Sequence, residues 1–236
     1  MKRGDHMEKY DRNKEMELYK TEEEQLEAIN ENPYNIMYIK NPSEEMKLEA
    51  VKQNGCTINF INNPSEEMKL EAVKQNGYTI QYIKNPSEEI QLEAVRQEGR
   101  AIKFIDSPSE EIQLAAVKQY GYAIQYIKNP SEKVQLAAVK RDGCSIQFIK
   151  NPSEKVQLKA VQQNGSAIEF IKNPSEKIKL KAVEADGCAI SYIKNPSEEI
   201  IKTAILNGAT KDDLMCIQNI DWNKISDELW LQIQLL

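Results

Sequence analysis

Residues 41–62 read NPSEEMKLEAVKQNGCTINFIN. The phrase begins again at Asn63, Asn85, Ser107, Asn129, Asn151 and Asn173, and the copies run to Lys194 without insertion or deletion. A fixed period of 22 residues marks a repeat architecture and outranks any local signal. Positions within the repeat are numbered from Asn41 as position 1.

Each copy predicts two helices. Asn41-Pro42-Ser43-Glu44 offers two ways to open the first. Asn41 caps it, with Pro42 in the first helical position and Glu44 closing a capping box. Alternatively Ser43 caps it, and Glu44 and Glu45 fill the first turn, where the helix dipole favours carboxylates. Ser107 replaces Asn in one copy and keeps an S-x-x-E spacing with Glu110, so both solutions stay open. The helix continues through Lys52 or Gln53, and Gly55 is read as the left-handed residue that ends it. A shorter helix, in part 3-10, covers about Thr57 to Ile61.

The apolar positions are Met46, Leu48, Ala50 and Val51 in the first helix, and Ile58, Phe60 and Ile61 in the second. The first four spread over roughly 200° of the helix. That is wider than a surface helix needs, so the helix is expected to be buried against its partner and both neighbouring layers. Ala at position 10 in every full copy lets backbones approach. Position 20 alternates loosely between Phe and Tyr, from Tyr38 to Tyr192, and is expected in the core with the phenol oxygen at the rim.

The fold class is therefore all-α, an α-solenoid of helix–turn–short-helix repeats. Residues 1–18 form a polar N-terminal cap or disordered tail, with a short helix over Glu8 to Leu18. The solenoid spans 19–208: a degenerate copy over 19–40, seven full repeats over 41–194 and a partial copy over 195–208. Residues 209–236 form a helical C-terminal cap in which Ser226 starts the last helix. Both tryptophans, Trp222 and Trp230, lie there, and this cap is also the candidate surface for a homodimer.

Composition narrows the function classes. Charged residues make up 29% and aromatics 7%, so the core is built from Ile, Val, Leu and Ala at fixed positions. The net charge of −6 argues against direct nucleic-acid binding. No apolar run reaches the roughly 18 residues that span a bilayer, and no signal-peptide pattern opens the chain, so a cytoplasmic protein is expected. Cys56, Cys144 and Cys188 share position 16 in layers too far apart for a disulfide or a shared metal. The single histidine, His6, lies in the N-terminal tail. No catalytic, cofactor-binding or metal-binding residues are assigned and no cofactor is expected. The repeated Glu44-Glu45 pairs are read as helix-start residues rather than a catalytic or calcium-binding pair.

What the copies do not share is where a partner would be recognised. Positions 5, 9 and 12 fall on one helix face. Early copies carry Glu45 and Glu49, Glu67 and Glu71, Glu89 and Glu93, then Glu111. Later copies carry Lys133, then Lys155 and Lys159, then Lys177 and Lys181. Net charge is −3 over 1–40, −3 over 41–128, +4 over 129–194 and −4 over 195–236. Tyr78, Arg100 and Tyr122, at position 16 of successive layers, are residue types common at interface hot spots. These positions form the candidate protein-binding surface.

The units resemble short α-solenoid repeats of the leucine-rich-variant and HEAT-like kind. They are most similar to bacterial and viral arrays bearing segments such as Leu114-Ala115-Ala116-Val117-Lys118-Gln119, continued through Tyr126-Ile127. The resemblance covers about residues 19–208 and implies a right-handed superhelix; such arrays are largely of unknown function. Two functions are carried forward. One is a non-enzymatic scaffold that holds a protein partner along the charged stripe. The other is an acidic inhibitor or decoy of the phage anti-defence kind, occupying the nucleic-acid groove of a guided nuclease such as a CRISPR effector.

Overall fold

The computed structural model describes residues 21–217 and 225–236. The helix expected over Glu8 to Leu18, His6 and Trp222 lie outside the described residues. The chain divides into two compact units, Met1–Phe104 and Ile105–Leu236. Among the described residues every regular element is a helix.

Unit 1 contains α1 (Glu22–Glu31), η1 (Pro33–Tyr38), α2 (Glu44–Gln53), η2 (Gly55–Phe60), α3 (Glu66–Gln75), η3 (Gly77–Tyr82), α4 (Glu88–Gln97) and η4 (Gly99–Phe104), where η marks a 3-10 helix. Each α-helix packs on its own 3-10 helix and on the α-helix of the adjacent layer. Unit 2 repeats the arrangement with α5 (Glu110–Gln119), η5 (Gly121–Tyr126), α6 (Glu132–Arg141), η6 (Gly143–Phe148), α7 (Glu154–Gln163), η7 (Gly165–Phe170), α8 (Glu176–Ala185) and η8 (Gly187–Tyr192). It closes with α9 (Glu198–Leu206), α10 (Lys211–Met215) and α11 (Asp227–Gln234). Both units are stretches of α-solenoid. The repeat seen in the sequence is thus one α-helix followed by one 3-10 helix, and length adds layers rather than core thickness.

The helix start takes the second of the two solutions. Ser43 is the cap, its hydroxyl accepting from the Met46 amide at 3.3 Å, and Glu44 and Glu45 occupy the first turn. Asn caps nothing there. From the second full copy on, position 1 is instead the left-handed residue of the repeat: Asn63, Asn85, Ser107, Asn129, Asn151, Asn173 and Asn195 have φ between 48° and 52°, and Asn41 does not share this conformation. Asn visits that region at the least cost of any residue with a β-carbon, and Ser107 accepts the same geometry without that advantage.

The reading of Gly55 as a left-handed helix terminator is overturned. The helix ends on Asn54, which is extended at φ −152°, and its side-chain oxygen accepts from the Cys56 amide at 3.0 Å to start η2. Gly55 is required by the next layer: a β-carbon there would stand 2.8 Å from the Ala72 carbonyl oxygen. In unit 2, Gly143 would meet the Ala160 oxygen at 2.5 Å in the same way. Ala at position 10 and Gly at position 15 are therefore two halves of one close backbone approach.

The core follows. Met46, Ala50, Val51, Ile58 and Ile61 are buried, and their counterparts recur in every full layer. Burying each Ile or Val contributes about 1.5–3 kcal/mol. Position 17 is also buried, as Thr57 and Ala123 show, although the apolar pattern did not mark it. Phe60 departs from expectation: it is exposed, as are Tyr82, Tyr126, Phe148, Phe170 and Tyr192. A 3-10 helix has three residues per turn, so positions 18 and 21 eclipse each other on the core face and position 20 points about 120° away.

The terminal helix α11 buries Leu229 and Ile233, and the Ser226 amide ties it to Glu198 of α9 at 2.6 Å. Trp230, Leu231, Leu235 and Leu236 remain exposed on its other side.

Candidate functional site

Two faces vary between layers: the outer face of the α-helices and the outer face of the 3-10 helices. On the helix face of unit 1, Glu45, Glu67 and Glu89 are exposed and make no ion pair among the described residues. Glu49, Glu71 and Glu93 are half-buried, and each accepts from the Gln four residues on, at 3.0, 3.2 and 2.8 Å. Lys52, Lys74 and Arg96 share this face at position 12. The exposed carboxylates of the unit 1 stripe are therefore those of position 5.

In unit 2 the change of sign at position 5 has local partners. Lys133 lies 3.5 Å from Glu110 and Lys177 lies 3.4 Å from Glu154, each glutamate belonging to the preceding layer. Lys181 pairs with Glu184 in its own helix. Both Lys133 and Glu110 are about half or more exposed, so solvent screens the pair and it adds little to stability. Glu110 also accepts from the Ser131 hydroxyl at 2.5 Å; that bond, followed by the charge of Lys133, holds its carboxyl below the usual range. Lys155 and Lys159 make no ion pair among the described residues, and Glu111 is exposed.

The 3-10 face is more regular. Position 20 places one exposed ring on each layer of unit 2: Tyr126, Phe148, Phe170 and Tyr192, each between 37% and 46% exposed. Position 16 meets this ladder from the preceding layer. Tyr122 abuts Phe148 edge-on at 5.7 Å between ring centres, and in unit 1 Tyr34 meets Phe60 at 6.1 Å and Tyr78 meets Phe104 at 6.3 Å. This contact accounts for much of the Phe/Tyr alternation. Phe stands where a Tyr edge packs on it, while Tyr82 and Tyr192 follow the small Cys56 and Ser166; Phe170, after Cys144, is the departure.

Two of the three position-16 candidates, Tyr78 and Tyr122, are thus half-buried and engaged with a neighbouring layer. Burial first, then the nearby Glu98 or Asp142 carboxylate, raises both phenols above their usual pKa. Arg100 is exposed in unit 1.

Between successive layers of unit 2 the 3-10 face opens into grooves of one design. Grooves of about 590, 470 and 640 Å³ are floored by Ile124 and Ile127, by Ile146 and Ile149, and by Ile168 and Ile171. The next layer's Phe148, Phe170 or Tyr192 forms a wall of each. Lys128 and Lys150 line the first, Lys150 and Lys172 the second, Lys172 and Lys194 the third. Sequence reasoning reached this face only at position 16 and missed the grooves because it assigned position 20 to the core. The signal was present in the lysines at position 22 of four successive copies, Lys128, Lys150, Lys172 and Lys194.

All four cysteines are free thiols. Burial, then the Asp142 carboxylate, raises Cys144 above the ordinary thiol pKa, which disfavours a reactive thiolate. Among the described residues no group of three or more His, Cys, Asp or Glu is placed to hold a metal ion. No helix among them is long and apolar enough to cross a membrane.

A family model described as a domain of unknown function (DUF4116) matches residues 43–86, two repeat lengths of unit 1. No curated protein matches the chain, and no solved structure does.

Proposed function

We propose that the chain is a non-enzymatic binding module that holds a segment of a protein partner along the 3-10 face of unit 2. The observation that carries this is the recurrence of one groove design in successive layers, each with an apolar floor, an aromatic wall and lysines at the rim. Repetition of an open groove suits an extended ligand that is bound once per layer. The helix-face stripe takes second place, because Lys133, Lys177 and Lys181 already have carboxylate partners within the chain. Four free thiols suit a reducing, cytoplasmic setting. The bacterial or phage origin suggested by the resemblance to leucine-rich-variant and HEAT-like arrays fits such a module and adds no partner. The test is capture from lysate of the native host, with the wild-type chain beside Phe148→Ala/Phe170→Ala and Lys155→Glu/Lys159→Glu. Protein captured by the wild type and by the helix-face variant, but lost by the groove variant, is the expected result. Recovery of nucleic acid without protein, or capture indifferent to the groove variant, overturns the reading.

The acidic-decoy reading keeps one supporting observation, the exposed Glu45, Glu67 and Glu89 of unit 1, which no basic side chain neutralises among the described residues. It requires that the triple change to Lys abolish inhibition of a nucleic-acid-guided nuclease. Inhibition that survives the triple change removes it.

A further inference from the structure

The grooves of unit 2 carry enough detail to name the chemistry of what fits them, and this step rests on reading that face as protein-binding. Lys150 lines both of the grooves it separates, and so does Lys172. The face therefore reads groove, lysine, groove, lysine, groove. Lys128, Lys150, Lys172 and Lys194 are all exposed and make no ion pair among the described residues. Glu169 is the one acidic residue lining any of the three grooves, and Lys179, in the same groove, is already paired with Glu176 at 2.6 Å. The complement is a chain that alternates an apolar side chain with a carboxylate, once per layer.

Spacing then selects the backbone. Packed helices lie about 8–10 Å apart. A β-strand returns a side chain to one face every two residues, at about 6.7 Å, and next at about 13 Å. Neither step matches one layer. A polyproline-II chain returns a side chain to the same face every three residues, at about 9.3 Å. It also has no internal hydrogen bonds and little conformational entropy left to lose. A single-stranded nucleic acid is the rival occupant, because basic grooves with aromatic rings also bind bases. Two features weigh against it. The rings are walls sunk by more than half into the surface rather than open stacking platforms. The floors are isoleucine, and the amide nitrogens of Gln125, Gln135, Gln147 and Gln157 beside them already donate to backbone carbonyls.

We propose that the 3-10 face of unit 2 binds an acidic polyproline-II segment of a protein, seating an apolar side chain at every third residue in successive grooves and a carboxylate over each intervening lysine.

The experiment is fluorescence anisotropy of the full chain with fluorescein-labelled (Leu-Pro-Glu)4, with a peptide of the same composition whose leucines stand at every second residue, and with a 12-nucleotide oligothymidylate. The triplet peptide is expected to saturate below about 1 mM, to weaken in high salt, and to bind at least several-fold more tightly than the shuffled one. Lys150→Glu/Lys172→Glu should weaken it about tenfold with the circular dichroism spectrum unchanged. Lys155→Glu/Lys159→Glu on the helix face should leave it unaltered. Phe170→Ala gives a second, uncharged test and should also weaken it. Absence of saturation, equal binding of the shuffled peptide, indifference to the groove variants, or binding of oligothymidylate in place of peptide each overturns the proposal. If native-lysate capture depends on Phe148 and Phe170 while (Leu-Pro-Glu)4 fails, the ligand class is wrong and the protein-binding face stands. If capture is also indifferent, both readings fall.

Discussion

Two residues of η6, two positions apart in sequence, show how finely each position of the repeat is determined. Gly143 has no room for a β-carbon, since the nearest obstacle at 2.5 Å is the Ala160 backbone oxygen, which cannot rotate away. Ser145 has the opposite defect. It is fully buried where other layers carry Ala101, Ala123 and Ala167, and its hydroxyl has no hydrogen-bond partner. Thr57 and Thr79, at the same position, donate to the Asn54 and Asn76 carbonyls at 2.7 and 2.8 Å. Two alanine substitutions should therefore act with opposite sign. Gly143→Ala should destabilise by about 1–3 kcal/mol through forced separation of two layers. Ser145→Ala should stabilise by about 1 kcal/mol by removing an unsatisfied buried group. Urea unfolding of the full chain, compared by midpoint at constant slope, reads both; shifts of the same sign would refute the account. Neither effect was legible in the sequence. A glycine after a helix fits a left-handed terminator and a close approach equally well, and only the neighbouring layer distinguishes them.

At the scale of elements, the α-helices and a shorter, partly 3-10 second helix were legible, and the face that the second helix buries was not. Pro, Ser and Glu in a fixed order announce a helix start, and Ser43 serves as the cap in the structure. The second helix was read with Ile58, Phe60 and Ile61 all in the core; three residues per turn place Phe60 outside. The link between consecutive elements was also hidden, because it is made by glutamine, a residue with no apolar signal. Gln75 of α3 reaches back one layer: its oxygen accepts from the Gly55 amide at 2.8 Å, and its nitrogen donates to the Val51 and Lys52 carbonyls, both at 2.9 Å. One side chain thus satisfies the end of α2 and the start of η2. Gln163 holds the Gly143 amide of unit 2 in the same way at 2.5 Å. Gln75→Ala should cost about 1–3 kcal/mol, because it leaves a part-buried amide without an acceptor. Hydrogen exchange checks the mechanism: the Gly55 amide should lose protection while the Ser65-capped start of α3 keeps it. Unchanged protection at Gly55 would show that the clamp is not what holds that junction.

At the scale of the molecule, stability should be a sum over layers and their nearest-neighbour contacts, which makes the number of layers a free variable. The repeat was fully legible in the sequence at this scale, and the tolerance it implies can be argued contact by contact. Removing residues 129–150 from unit 2 brings the layer of α5 and η5 against the layer of α7 and η7. The partners lost are then replaced by those of the next copy, with Gln163 in place of the Arg141 that donates to the Gln119 carbonyl. The carbonyl of Ala138 that faces Gly121 is replaced by that of Ala160, which already faces Gly143. Ser153 takes over the hydroxyl that Ser131 donates to Glu110, as it already does for Glu132 at 2.6 Å. Lys155 stands in for Lys133 opposite Glu110, and Phe170 for Phe148 against Tyr122. The shortened chain should fold with unchanged helicity per residue and a cooperative melt at modestly lower temperature. Removing 129–139 instead, half a period, sets a helix against a 3-10 helix, places no Ala carbonyl opposite Gly121 and should abolish the melt. Circular dichroism of the two deletions decides the matter, since a chain that tolerates both, or neither, is not an array of interchangeable layers.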